Sequence, residues 1–244
     1  MKNIDFLKTW PIAHRGLHNY NNKIIENSIE AYQLAIKNKI AIELDITVLK
    51  DGTVVCFHDK NLERVTGINK FVYDVSYDDI KDVTLLNSNS IIPKFINVLN
   101  LVNNQVPLLV EIKSHKNYEQ ALPIIGEMIS NYHGEIAIFS FSPKIVMWFK
   151  KHYPNIIRGQ ITSSFSENKK MIKPVKYLLK SMFFNRFTNP DFISYHNIDL
   201  PNKYADKAKN AGLTVISYTA FNYDEYLRVK NLYDNIVFEG FIIK

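Results

Sequence analysis

Short apolar runs rich in Ile and Val alternate along this chain with longer stretches whose apolar residues recur at helical spacing. The runs at 11–14, 41–48, 54–58, 108–113, 135–141, 156–161, 192–195, 213–219 and 235–239 predict strands. The stretches 26–38, 96–103, 118–132, 143–153, 171–184, 201–211 and 223–233 predict helices. Several boundaries carry their own signals. Asn117 stands where an N-cap would precede 118–132, and Ser142-Pro143 and Leu200-Pro201 set proline at a first helical position. Gly212 follows 201–211 as a stop. Strand–helix alternation of this kind predicts parallel βαβ units. Taking 41–48 and 54–58 as one long strand region leaves eight units. Eight units in 244 residues predict an α/β fold, a (β/α)8 TIM barrel, which typically takes about 250 residues. An open doubly wound sheet lacks support, since no Gly-x-Gly-x-x-Gly follows a strand. Residues 59–106 exceed a usual βα connection and hold polar turns at Gly67, 87–90 and Pro93. They read as a small insertion between barrel strands 2 and 3, within a single domain spanning 1–244. No linker, repeat or low-complexity tract marks a second one.

Charge interrupts this pattern in four places. His14-Arg15-Gly16 follows Pro11-Ile12-Ala13, Glu43-Leu44-Asp45 follows Ile40-Ala41-Ile42, His58-Asp59 follows Val54-Val55-Cys56-Phe57, and Glu111-Ile112-Lys113 follows Leu108-Leu109-Val110. Burying such groups without partners costs kilocalories each, so each pair calls for a counter-charge or a ligand. In a barrel the C-terminal ends of the strands carry the site, which brings the four segments to one mouth. Residues i and i+2 of a strand face the same side, so Glu43 and Asp45 point together. Two carboxylates in one cavity repel unless a cation sits between them. Glu111 supplies a third carboxylate, and a hard divalent ion with oxygen ligands, Ca2+ or Mg2+, is the simplest compensation. Lys113 places a cation on the same face, and the planar fork of Arg15 suits two phosphate oxygens. His14 and His58 are the candidate proton-transfer pair, since imidazole titrates near neutral pH. His18, His115, His133, His152 and His196 fall in loops or helices and read as structural.

Composition narrows the partners. Hydrophobic residues make up 46% and charged residues 22%, ordinary for a globular protein. Cys56 is the only cysteine, which excludes an internal disulfide and a cysteine-rich zinc site; within Val54-Val55-Cys56-Phe57 it reads as a buried apolar residue. Residues 1–10 lack a continuous apolar core of a secretory signal, and no apolar stretch reaches the roughly 18–20 residues that span a bilayer, so a cytoplasmic location without stable membrane insertion is the expectation. The net charge is +6. Abundant Lys, Asn and Ile beside only five arginines read as a coding bias, and the lysines are scattered apart from Lys169, Lys170, Lys173, Lys176 and Lys180. Nucleic acid is therefore not an expected partner.

The motifs in order are Ala13-His14-Arg15-Gly16, Glu26-Asn27-Ser28, Ile42-Glu43-Leu44-Asp45-Ile46, Lys50-Asp51-Gly52, His58-Asp59, Leu62-Glu63-Arg64-Val65-Thr66-Gly67, Ile91-Ile92-Pro93, Val110-Glu111-Ile112-Lys113 and Ser140-Phe141-Ser142. This series resembles the glycerophosphodiester phosphodiesterases. The resemblance implies a TIM-barrel hydrolase acting on a small-molecule glycerophosphodiester. It implies His14 and His58 as catalytic histidines, Glu43, Asp45 and Glu111 as metal ligands, and Arg15 and Lys113 as phosphate contacts. It makes Glu26 and Asn27 a supporting polar pair in the loop after strand one. Two positions depart from the common pattern. Tyr218-Thr219 stands where many relatives carry Trp-Thr, so Tyr218 offers a flat wall with different headgroup packing. Phe238-Glu239-Gly240-Phe241 replaces Thr-Asp-x-Pro, which sets Glu239 at the rim.

Two other readings compete with hydrolysis. A phospholipase D-like lyase would stop at a cyclic phosphate; its relatives are often secreted and disulfide-bonded, unlike this chain. A non-catalytic phosphate-binding barrel would have lost a histidine or a carboxylate, and none is lost. Headgroup preference, the choice between Ca2+ and Mg2+, the split of acid and base between His14 and His58, direct hydrolysis or a cyclic intermediate, and the oligomeric state stay open at the level of sequence.

Overall fold

The computed structural model describes every residue except 1, 20, 22, 87 and 244; the turn expected at 87–90 therefore begins outside the described residues. The strands are β1 (Ile12–Ala13), β2 (Ala41–Val48), β3 (Val54–Cys56), β4 (Leu108–Ile112), β5 (Ile136–Ser140), β6 (Ile157–Thr162), β7 (Phe192–His196), β8 (Thr214–Ala220) and β9 (Asn235–Phe238). The helices are α1 (Phe6–Thr9), α2 (Ile29–Lys37), α3 (Glu63–Thr66), α4 (Phe95–Val102), α5 (Tyr118–Ser130), α6 (Pro143–His152), α7 (Lys173–Lys180), α8 (Asn185–Thr188), α9 (Lys203–Asn210) and α10 (Tyr223–Lys230). The fold class is a (β/α)8 TIM barrel with one additional strand. Two compact units make up the chain, Ile12–Ala137 and Met1–Pro11 with Ile138–Lys244.

In the unit Ile12–Ala137, β2 pairs in parallel with β1 and β4. All eight residues of β2 are buried, as expected of a strand covered on both faces. The one strand region expected over 41–58 is instead a hairpin. Gly52 (φ +84) turns the chain, and β3 pairs antiparallel with the end of β2, Ile46 opposite Cys56 and Val48 opposite Val54. This pairing prolongs β2, so Glu43 and Asp45 lie in its middle, not at its end. The hairpin also folds Phe57 back so that its amide donates to Asp45 O at 3.0 Å.

Helix starts follow side-chain chemistry. The Ser28 hydroxyl accepts from Ala31 N, so α2 begins at Ile29 and leaves 26–28 as loop. Asn117 does not cap α5: it takes a left-handed conformation (φ +69), and its side chain makes no cap bond. Residues 59–106 build a satellite core in which Leu62, Val65, Val72, Val75, Ile80, Leu85 and Ile92 pack together with Phe57. Each such side chain contributes roughly 1.5–3 kcal/mol on burial, enough to fix a segment that before α4 is made of turns and the short helix α3.

In the other unit, β6, β7, β8 and β9 run parallel in sequence order. Pro143 opens α6 as expected. Pro201 does not open α9; the helix starts two residues later, where the Asn202 side chain accepts from Tyr204 N and Ala205 N. Gly212 (φ +82) follows its end. The helix expected over 171–184 is the shorter α7, which stops at Lys180; Met182 (φ +56) turns the chain, and α8 follows outside the expected range. Asn235 Nδ2 donates to the carbonyls of Leu7 and Trp10 at 2.8 Å each, which ties α1 to this unit.

Candidate active site

The register between β2 and β4 builds the core of the site. Asp45 lies directly beside Glu111, and Glu43 stands two residues before Asp45 on the same face. The three carboxylates are buried, and they offer ligand atoms that all lie within 4.8 Å of one another. Lys113, just past β4, places its Nζ 2.7 Å from Asp45 Oδ1 and 2.7 Å from Glu111 Oε1.

The His-Arg-Gly turn after β1 closes over Glu43. Arg15 (φ +53) and Gly16 (φ +78) both take left-handed backbone, and only glycine does so without cost. A Cβ on Gly16 would also sit 3.0 Å from the Ala31 backbone and from the Tyr32 ring. In this turn Arg15 N donates to Glu43 Oε2 at 2.9 Å and Gly16 N donates to Glu43 O at 3.1 Å. His14 Nε2 stands 4.0 Å from Glu43 Oε2. Beyond the end of β1, Asn27 takes over the pairing with β2. Its Nδ2 donates to Asp45 Oδ2 at 2.9 Å, and its Oδ1 accepts from Asp45 N at 3.2 Å and from Tyr32 Oη at 3.0 Å.

A chain of ion pairs runs from Arg15 to His58. Arg15 Nε meets Asp45 Oδ2 at 3.2 Å and its Nη1 donates to Glu26 Oε1 at 2.6 Å. Glu26 is gripped from its other side by Arg64, Nη1 to Oε2 at 2.9 Å and Nη2 to Oε1 at 2.6 Å. Arg64 Nε then donates to Asp59 Oδ2 at 2.6 Å, and Asp59 Oδ1 holds His58 Nδ1 at 2.6 Å. Asp59 shows in the sequence as the partner of His58 in a charged pair after an apolar run, but Arg64 does not stand out as a site residue by polarity pattern. Arg64 does carry one signal, being one of five arginines in a chain that otherwise uses lysine.

Charge balance singles out Glu43. Burial alone would raise the Asp45 carboxyl, but Lys113 and Arg15, aided by His58 and His14, hold it well below the usual range. Burial opposes the charge on Lys113, yet Asp45 and Glu111 hold its ammonium above the ordinary value; Asp45 and Glu26 do the same for the Arg15 guanidinium. Glu43 is pushed well above the usual carboxylate range by burial, Asp45 and Glu111. The cluster thus holds more negative charge than its side-chain cations neutralise. Three buried oxygen donors with unbalanced charge fit a hard divalent cation.

His115 lies just past Lys113, in the loop after β4. It is buried with Nδ1 3.1 Å from Thr47 Oγ1, and burial and the nearby Lys113 lower its pKa to about 4. Cys56 is buried and its thiol is pushed up by burial. Tyr218 and Glu239 belong to the other unit. Tyr218 Oη donates to Thr162 O at 3.0 Å, and its ring meets Phe141 edge-on with centroids 5.9 Å apart. With Phe165, His196 and Asp199 it lines a cavity of about 230 Å3. Glu239 N donates to Ala220 O at 2.9 Å. Among the described residues, no helix is long and apolar enough to cross a membrane.

A β/α barrel that carries a buried carboxylate triad, two cations and two histidines defines a class of site that could hold a divalent cation. The chain matches the Glycerophosphoryl diester phosphodiesterase family over residues 14–238, and it belongs to that family. YhdW of Bacillus subtilis (strain 168) is 30% identical over 160 residues, 62% of this chain and 65% of its own length. The glycerophosphodiester phosphodiesterase of Caldanaerobacter subterraneus subsp. tengcongensis is 30% identical over 165 residues, 63% of this chain and 66% of its own length. The chain therefore spans just under two thirds of these curated relatives. Its fold is similar to the structure of an Oleispira antarctica phosphodiesterase in complex with the product sn-glycerol-3-phosphate. That likeness has a TM-score of 0.79 at 20% identity and covers 96% of this chain and 93% of that one.

Proposed function

We propose that this protein hydrolyses glycerophosphodiesters to glycerol 3-phosphate and an alcohol, in glycerophospholipid catabolism, with residues 1–244 acting as one catalytic domain. Glu43, Asp45 and Glu111 are the residues that would hold one divalent cation, Ca2+ or Mg2+. The observation that carries the reading is the register that sets Glu111 beside Asp45, with Lys113 bridging the two and Glu43 short of a counter-charge.

When bound, the cation supplies a Lewis acid for the phosphate oxygens. Arg15 and Lys113 oppose the negative charge that grows on those oxygens in the transition state. His14 and His58 move the protons: one imidazole takes a proton from the attacking oxygen, that of water or of the glycerol's own neighbouring hydroxyl, as the new P–O bond forms, and the other gives a proton to the departing alcohol as its P–O bond breaks; where the hydroxyl attacks first, water then opens the cyclic phosphate to glycerol 3-phosphate. Asp59 occupies His58 Nδ1, which directs Nε2 of that ring to proton exchange. Arg64 is a positioning residue. Its three donors tie Glu26, which holds Arg15, to Asp59, which holds His58. Glu26 and Asn27 support Arg15 and Asp45, Tyr218 offers a flat wall for the substrate, and Glu239 is a rim residue.

A coupled assay of glycerol 3-phosphate release tests this reading across several glycerophosphodiesters, with each metal added back after chelation. Release that depends on added Ca2+ or Mg2+ is the expected result. Absence of release from every glycerophosphodiester with either metal would refute it.

A further inference from the structure

The positive charge of this chain is not spread evenly. Residues 163–191, which connect β6 to β7, hold six cations (Lys169, Lys170, Lys173, Lys176, Lys180 and Arg186) against two carboxylates, Glu167 and Asp191. That net of +4 is two thirds of the +6 carried by the whole chain. An outer barrel helix normally buries an apolar stripe. None of the eight residues of α7 is fully buried. Leu178 and Leu179 lean on the protein, but the apolar residues beside the lysines project into water: Ile172 is 65% exposed, Tyr177 57% and Val175 39%. The adjoining α8 repeats the combination. Phe187 is 51% exposed, and the Arg186 guanidinium lies 3.8 Å over the Phe183 ring.

Exposed rings and branched apolar side chains interleaved with lysine and arginine match an interface between water and lipid. The apolar groups enter the acyl boundary there, while the cations meet anionic headgroups. A purely electrostatic partner would leave Ile172 and Tyr177 without use. We propose that residues 169–187 form a peripheral docking surface for anionic lipid bilayers. The surface goes beyond the hydrolase reading and does not depend on it. Each basic residue near an anionic leaflet adds to affinity, and salt screens that part of the attraction.

Co-sedimentation of the full chain with vesicles tests the surface. Phosphatidylcholine vesicles are compared with phosphatidylcholine vesicles containing phosphatidylglycerol, in low and high salt. Binding to the anionic vesicles alone, weakened by salt, is the expected result. The double variant Lys173→Glu/Lys176→Glu should lose at least about 100-fold in vesicle affinity. Ile172→Ser, which leaves every charge in place, should lose about tenfold. All three positions are at or near solvent, so folding is checked by circular dichroism and release of glycerol 3-phosphate from soluble substrate should be unchanged. The proposal is overturned if anionic and neutral vesicles bind alike, if neither binds, or if Ile172→Ser binds as the wild type does. It is equally overturned if a single-stranded RNA oligonucleotide binds more tightly than the anionic vesicles with an affinity unchanged by Ile172→Ser, since that partner needs the charges and not Ile172.

Discussion

Replacing Asn27 removes the group that aligns Asp45. The buried amide makes three hydrogen bonds: it donates to the Asp45 carboxylate at 2.9 Å and accepts from Asp45 N at 3.2 Å and Tyr32 Oη at 3.0 Å. Truncation forfeits one bond to a charged group, about 1.5–3 kcal/mol, and strands two buried donors at about 1–3 kcal/mol each. Partial relaxation brings the expected loss for Asn27→Gly to about 4 kcal/mol, near the low end of that sum. This is a large part of a typical stability of about 5–15 kcal/mol, and in a chain of this size it lowers Tm by about 8–16 °C. The backbone separates out, since Asn27 has φ +53. Asn27→Ala should be less stable than Asn27→Gly by a further ~0.5–1 kcal/mol, because alanine in left-handed backbone is strained. Urea unfolding with chelator present measures both without a contribution from metal. If Asn27→Gly unfolds within about 1 kcal/mol of the wild type, the amide does not hold Asp45 and the reasoning fails.

Three further outcomes are expected. His115 is protonated in the unfolded chain near the ordinary 6.5 but in the folded protein only at about 4. The unfolded state thus binds more protons in between, and stability falls as pH drops from 6.5 to 4 by up to about 3 kcal/mol, levelling off below. Urea unfolding at both ends of that window should show a smaller fall for His115→Gln, and equal falls would remove His115 as the cause. Saturating Ca2+ or Mg2+ should raise Tm by about 5–11 °C at about 100 times Kd, and Glu43→Gln should abolish the rise. Arg64→Ala should drop kcat about 100-fold with the fold intact, since small displacements of reacting groups are costly. Arg64 is half-exposed, so added guanidinium should restore activity to Arg64→Ala, while Arg64→Lys, lacking the fork, stays impaired. Full activity in Arg64→Lys would show that charge alone suffices.

Much of this site is legible in the sequence because charge inside apolar runs is costly. Glu43, Asp45, Glu111 and Lys113 betray themselves by sitting two apart in strand-like segments, and the period of two along a strand is enough to place each pair on one face. The eightfold alternation gives the barrel in the same way. What polarity does not encode is backbone conformation. Asn tolerates left-handed backbone, but that does not single out Asn27 and Asn117 among the many Asn of this chain, and nothing marks Met182, so the start of α2, the absence of a cap on α5 and the break between α7 and α8 lie beyond a polarity pattern. The hairpin of β2 and β3 has its signal in Lys50-Asp51-Gly52, overridden by the apolar runs on both sides. Arg64 is hidden for a different reason. Its partner Glu26 lies 38 residues away, and only the satellite core of 59–106 brings the two together.

The most direct measurement is phosphorus NMR of glycerophosphocholine incubated with Mg2+ and the wild-type protein, beside His14→Ala and His58→Ala. If the histidines move the protons, the wild type converts the diester resonance to that of glycerol 3-phosphate. Each variant should then be slower by about 100-fold or more with an unchanged fold. Near-wild-type conversion by His14→Ala or His58→Ala, or a cyclic phosphate that persists as the final product, would contradict it.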